Sequence, residues 1–342
     1  MPDKVALKVE GKRIENFTAY TIESDIYVAD NAFLLELANP EVAVKEGARC
    51  ELDVNDSLEL TGTVERISKS YDKSGIKLKV EGRDLMGLLV DSYCEDFVTL
   101  ENVRLKELAE KLLTKVPFIN RKNIIYQQDV PDKKIVHKGE IPHNFKQIEP
   151  GQTIFEVLKQ AALDRGLMFF SLPDGTFVFG KPQEKGEPKY RLVCTKSGGE
   201  NNILEGSLTK DISKRYSKIV IVGQQQGLND LAVEKINIQA TVEDPSFPFY
   251  KPCVGALNSD EKSPELYAKT LMEQQQQQGF QLQYKVVGHS QNGKNYETNV
   301  MCQVKDEVFG INDTYLIYGR TFTLSKDGAF TTLKLGYPGV VL

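Results

Sequence analysis

The stretch Gly62-Thr63-Val64-Glu65-Arg66-Ile67-Ser68-Lys69 runs to a turn at Asp72-Lys73-Ser74-Gly75 and returns through Ile76-Lys77-Leu78-Lys79 to Gly82. Val64, Ile67, Ile76, Leu78 and Val80 recur among polar neighbours, and a Gly-containing turn joins the two runs, which is the pattern of an antiparallel hairpin with one wet face. Towards the N-terminus, Val5, Leu7 and Val9 alternate with Lys4, Lys8 and Glu10, while Gly11-Lys12, Asn39-Pro40 and Glu46-Gly47 punctuate the segment at hairpin spacing. Residues 1–96 are therefore expected to form an antiparallel β domain, a small barrel or sandwich, ending in a short helix around Asp84 to Val90. Near the C-terminus the pattern echoes: Gly319-Arg320-Thr321-Phe322-Thr323-Leu324-Ser325-Lys326 crosses Asp327-Gly328 and returns through Leu333-Lys334-Leu335 to Gly336. Ser-Lys, the turn Gly and Leu-Lys take similar positions in the two hairpins, which permits a duplicated barrel.

Between the two lies a different periodicity. Leu105, Leu108, Leu112 and Val116 make the apolar stripe of a helix, with Asn102 as candidate N-cap and Pro117 as its stop. Thr153-Ile154-Phe155-Glu156 has the form of a capping box opening a second helix that ends before Gly166. A hairpin of Leu167 to Ser171 and Thr176 to Phe179 follows, turned by Pro173-Asp174-Gly175. Residues 97–184 thus read as a small α/β domain. After the polar linker Lys181 to Pro188, residues 185–342 return to strand patterning, as a second β domain holding one helix at about 264–278. Ser263 is its expected N-cap, Pro264 its first residue and Gly279 its close. Its run Gln274 to Gln278 is expected to be a solvated helix end.

Composition limits the function. The 342 residues suffice for two to three domains, and 43 Lys and Arg against 48 Asp and Glu give a net charge of -5. That balance argues against a protein built to neutralise phosphates. Cys50, Cys94, Cys194, Cys253 and Cys302 are scattered with no C-x-x-C, as expected of reduced thiols. Apolar runs such as Ile219 to Val222 are far shorter than the ~18 residues of a membrane span. The N-terminal segment has no secretory pattern, so export is expected as part of an assembly or by lysis.

Signs of chemistry are few. His137 and His143 lie in a Lys-rich loop without further ligand spacing, and His289 reads as a hairpin residue. There is no G-x-S-x-G, no dinucleotide or phosphate-binding glycine pattern and no H-E-x-x-H. No catalytic residue, cofactor or metal is assigned. Asp244-Pro245-Ser246-Phe247-Pro248-Phe249-Tyr250-Lys251-Pro252 is expected to be a stiff loop. Its aromatics either roof their own domain or dock on another subunit, and Phe247, Phe249 and Tyr250 are taken as candidate partner-interface residues.

The order of these parts resembles the baseplate hub proteins of Mu-type contractile-tailed phages, the 43 kDa tail protein group. The stretches that carry the resemblance are Val80-Glu81-Gly82-Arg83-Asp84-Leu85-Met86-Gly87-Leu88-Leu89-Val90-Asp91-Ser92, Thr153 to Gly180, Ser213 to Gly223 and Tyr267 to Tyr337. The chain departs from the pattern in having no Trp, with Met272 and His289 at positions where relatives tend to carry one. The resemblance implies a mainly β fold, two tube-like antiparallel β-barrel domains with the α/β domain between them. It implies a non-enzymatic homotrimer that adapts a threefold central spike to the sixfold tail tube and lines the channel for DNA, without specific nucleic-acid binding. Such a protein is made in the host cytoplasm and resides in the virion baseplate with spike, tube and other baseplate proteins. The hub of a phage-derived injection or type VI-like secretion particle is the related alternative. A peptidoglycan-binding cell-wall hydrolase is the enzymatic one, and a carbohydrate-binding module is weakened by the absence of Trp.

Overall fold

The computed structural model describes residues 3–38, 44–73, 75–95, 99–100, 104–127, 146–226, 235–257 and 264–342. The chain is mainly β with a small α/β part. The opening stretch forms the expected hairpin, Ser57–Asp72 paired antiparallel with Gly75–Asp84. The C-terminal echo forms Ile311–Ser325 with Gly328–Gly336.

Both hairpins belong to one thirteen-stranded sheet. Arg49–Val54, Ser57–Asp72, Gly75–Asp84, Ala32–Ala38 and Ala19–Asp25 lie side by side in that order, all antiparallel. Val300–Asp306, Ile311–Ser325, Gly328–Gly336, Phe280–Val287 and Glu205–Lys210 lie side by side in the same order of roles. The repeat extends to register. One bulge falls between Val64 and Arg66 and the other between Ile317 and Gly319, equally far from the turn pairs Asp72–Gly75 and Ser325–Gly328. Gly75 and Gly328 share a φ of +119°, a backbone state that favours glycine. The turn glycines are equivalent, as the sequence suggests, but the two Ser-Lys pairs are not: Ser325 stands at the turn itself, where its counterpart is Asp72, so Arg66 corresponds to Gly319.

The two halves meet edge to edge. Residues 319–324 pair antiparallel with 20–25, from Gly319 opposite Asp25 to Leu324 opposite Tyr20. A single core serves both sides of this join, with Leu7, Leu35, Leu52 and Val80 clustering with Leu192, Leu282, Phe322 and Leu335.

The middle segment has its own core. Helices α1 (Met86–Asp91), α2 (Leu105–Leu112) and α3 (Ile154–Leu163) enclose Phe169, Phe177 and Phe179, and the Phe169 and Phe179 rings stack at 4.4 Å. The capping box holds as read: Glu156 N donates to Thr153 Oγ1 at 3.2 Å, and Thr153 N to Glu156 Oε2 at 2.8 Å. Asn102 lies outside the described residues. The residue at the N-cap of α2 is Arg104, and a 3-10 turn, Leu113–Lys115, succeeds the helix before Pro117.

Lys218–Gln226, Lys235–Glu243 and Pro252–Leu257 stand apart from the large sheet as a three-stranded sheet. Helix α4 (Pro264–Gln278) covers it with Ala268 and Met272 against Ile219, Ile221 and Ala240. Ser263 lies outside the described residues. The glutamine run is not the solvated end expected of it. Gln277 is buried and its Oε1 accepts Tyr337 N at 2.8 Å, while Gln274 Nε2 donates to Val341 O at 2.8 Å. Amide side chains here satisfy backbone groups that leave the last strand unpaired.

Candidate functional site

The Gly82-Arg83-Asp84 stretch is a structural hinge between sheet and helix. A Cβ on Gly82 would lie 2.3 Å from Thr63 O and 2.5 Å from the Phe33 ring, so only glycine fits between the strands. Arg83 points outward and clamps three segments: Asp30 at 2.7 Å, Glu65, the bulged residue, at 2.7 Å, and Asp91 at the end of α1. Asp84 points inward, where its Oδ1 accepts Met86 N at 3.1 Å and its Oδ2 accepts Asn31 Nδ2 at 2.9 Å and Ser171 Oγ at 2.6 Å. Burial raises its carboxyl to about 6, against the opposing pull of the Ser171 and Asn31 hydrogen bonds.

Beside Asp84 lies a polar cavity of about 180 Å³, whose lining includes Ser24, Asn31, Glu59, Asp84, Ser171 and Arg320. Arg320 is buried, ion-pairs with Glu59 through Nη2 and stacks on Phe322 at 3.9 Å, leaving Nε and Nη1 without a hydrogen-bond partner among the described residues. Burial lowers the Arg320 pKa and raises that of Glu59, each opposed by the charge of the other. Asn295 ties the pair to the other half by donating to Glu59 Oε1 at 2.7 Å and to Val54 O at 2.8 Å. This cluster stitches strands distant in sequence. It presents no nucleophile activated by a base.

His289 precedes a two-rung hairpin, Ser290–Gln291 with Lys294–Asn295, yet its ring is fully buried. Thr331 Oγ1 donates to Gly288 O at 2.5 Å, so it accepts from His289 Nδ1 at 3.2 Å, and His289 Nε2 is left to accept from Tyr20 Oη at 2.7 Å. Burial lowers the histidine pKa and keeps this neutral tautomer in place. Sequence reading missed that role, because the partners that hold the ring, Tyr20 and Thr331, lie far from it along the chain. His137 and His143 lie outside the described residues. Among the described residues no group of three or more His, Cys, Asp or Glu side chains is placed to hold a metal, and no helix is long and apolar enough to cross a membrane.

The aromatic loop splits in two. Phe247 is 9% exposed, packs edge-to-face with Phe249 at 4.9 Å and lies under the Arg215 guanidinium, itself held by Asp244 at 2.5 Å. Phe249 and Tyr250 are 56% and 80% exposed, beside Val254 on the edge strand Pro252–Leu257.

Two sheet edges are also open. Glu205–Lys210 ends the large sheet, and only Leu208 in it is half-buried. Ser57–Asp72 pairs with Arg49–Val54 only as far as Thr63, so beyond the bulge one side of residues 66–71 has no strand partner among the described residues.

Comparison with known proteins gives this geometry a context. Residues 4–84 match the family model of the Mu phage baseplate assembly protein GpP-like, N-terminal domain. The tail protein from Neisseria meningitidis MC58 is 24% identical and superposes with a TM-score of 0.83 over 99% of this chain and 98% of that one. The prophage MuSo2 43 kDa tail protein from Shewanella oneidensis is 22% identical, with a TM-score of 0.80 over 98% of each chain. A chain of the Francisella PdpA-VgrG complex, 11% identical, gives 0.60 over 98% of this chain and 58% of that one. No curated protein sequence matches the chain. Residues 4–84 are thus similar to the GpP-like N-terminal domain of Mu phage baseplate assembly proteins, and the chain as a whole has the fold of these two tail proteins.

Proposed function

We propose that the chain is the hub of a contractile-tail baseplate, a homotrimer that adapts a threefold spike to the sixfold tail tube and surrounds the channel through which DNA passes. The observation that supports this reading best is the repeat within the large sheet, two sets of five strands with the same order and the same bulge. Three copies of a chain with two like units present six, which is the stoichiometry a three-to-six adaptor needs. In this reading residues 1–96 and 185–342 are the two tube-like barrel domains, and residues 97–184 the α/β domain between them. The net charge of -5 suits a ring that must not retain phosphate. The chain acts without catalysis, is made in the host cytoplasm and resides in the virion. Native mass spectrometry over a concentration series tests it: the expected species has three times the 38.4 kDa of one chain. A monomer at every concentration, with and without a candidate spike protein, refutes the trimer.

A second reading, the hub of a type VI-like particle, is favoured by the likeness to the PdpA-VgrG chain. Binding to a phage-type spike, but not to a secretion-type one, decides for the first. Purified sacculi are expected to stay intact on incubation with the chain, which separates both readings from a cell-wall hydrolase.

A further inference from the structure

The edge-to-edge join inside the chain has a second set of the same parts that is left unused. Residues 319–324 follow the bulge of one long strand and pair with 20–25. Residues 66–71 follow the equivalent bulge, are exposed except for the half-buried Ile67, and keep one edge unpaired among the described residues, with Tyr71 87% exposed. The counterpart of 19–24 is found by tracing the ladders: Ala19 is opposite Glu36 and Glu36 opposite Lys79, as Glu205 is opposite Lys285 and Lys285 opposite Thr332. Lys79 and Thr332 are equivalent in the two hairpins, so Glu205–Lys210 stands where 19–24 stands. One open edge thus matches the donor side of an existing join and the other matches its acceptor side.

We infer that residues 66–71 of one copy pair antiparallel with residues 205–210 of a second copy, in the register already used inside the chain. Resting on the trimeric reading, this assigns the seam between subunits. Transferring the observed pairs places Ile67 opposite Lys210, Ser68 opposite Thr209, Lys69 opposite Leu208, Ser70 opposite Ser207 and Tyr71 opposite Gly206. The occupant is a second copy because the two edges complement each other. Ser70 and Ser207 replace the pair Thr323 and Thr21, two small hydroxyl side chains face to face. Tyr71 meets Gly206 where Leu324 meets Tyr20, so the bulky partner changes side while the pair keeps one large aromatic. Ile67 and Leu208, both half-buried against the shared core, extend it across the seam. Such a contact is heterologous and repeats head to tail until it closes, covering edges that otherwise invite uncontrolled pairing.

Engineered cysteines test the register in the full chain. Facing residues of an antiparallel pair lie within disulfide reach. S70C/S207C is compared with the out-of-register pair S68C/S207C, each single variant and the parent chain under mild oxidation. T21C/T323C, the same pair inside one chain, is the geometric control and is expected to close without changing mass. The expected result is covalent multimers for S70C/S207C at least tenfold above every control, with the trimer seen by native mass spectrometry. A trimer in which S70C/S207C gives no more cross-link than S68C/S207C overturns the seam while leaving the trimer intact. A monomer throughout, with no cross-link, overturns both.

Discussion

Replacing Arg320 by Met isolates the energetic weight of the polar cluster that ties the two halves together. The guanidinium is buried over the Phe322 ring, its ionic partner among the described residues is Glu59, and Met keeps the volume of the aliphatic stem while removing the charge. What remains is a buried carboxylate whose largest favourable influence has gone. Breaking a buried pair in this way destabilises by about 3–5 kcal/mol. At an unfolding entropy of about 2.1 cal/mol/K per residue, a chain of 342 residues loses roughly 4–7 °C in Tm. The companion E59Q/R320M removes both charges and is expected to recover much of that loss, since no unpaired ion stays behind. The sign of the pH dependence separates charge from packing. Burial already raises the folded-state pKa of Glu59, and loss of Arg320 raises it further, so the folded variant binds a proton that the unfolded chain releases. The deficit of R320M therefore shrinks from pH 8 to pH 5, whereas that of the double variant does not. Thermal unfolding of both at the two pH values is the assay. A deficit of R320M independent of pH, or a double variant no more stable than the single one, refutes the account.

Gly82→Ala forces a methyl against Thr63 O and the Phe33 ring and is expected to cost about 1–3 kcal/mol in denaturant unfolding. Gly11→Ala, at φ +75° with no atom near the added methyl, reports the backbone strain alone at about 1 kcal/mol. Asp84 has a folded-state pKa of about 6, above its ordinary 3.8, so the protonated form is favoured by folding. Its contribution is full below pH 3.8 and fades as pH rises through 6, and Asp84→Asn should gain stability relative to the parent between pH 4 and pH 7, read from denaturation midpoints. F249S/Y250S should leave Tm within about 1 °C and weaken assembly with spike and tube, as expected of exposed side chains in a partner contact, while F247S should cost about 3 kcal/mol because that ring packs inside. Unchanged assembly of the double variant removes Phe249 and Tyr250 from any interface.

Much of the fold was legible because it rests on local chemistry. The capping box at Thr153, the Pro173-Asp174-Gly175 turn and the alternation in both hairpins each act within a few residues, and each stands where the sequence puts it. What the sequence concealed depends on distant partners. Nothing adjacent to Gln277 says that its amide will meet Tyr337, and nothing beside His289 announces Tyr20. The separate three-stranded sheet under α4 was hidden for the same reason: strand patterning gives a wet and a dry face but not which sheet receives them. The aromatic loop was read as one unit, whereas Arg215 holds Phe247 inward and leaves Phe249 and Tyr250 outside.

The pairing of residues 20–25 with 319–324 bears on how the chain is made. One side of that ladder emerges from the ribosome early and waits for the other, which at about 5–20 residues per second takes roughly 15–60 s. During that interval the edge at Tyr20 to Asp25 is a vacant template in a crowded cell, with the apolar residues Tyr20 and Ile22 still uncovered by Phe322 and Leu324. Closure of this edge thus waits for residues 319–324 to be made, and a nascent chain stalled before Ile311 carries the vulnerability of a half-built sheet.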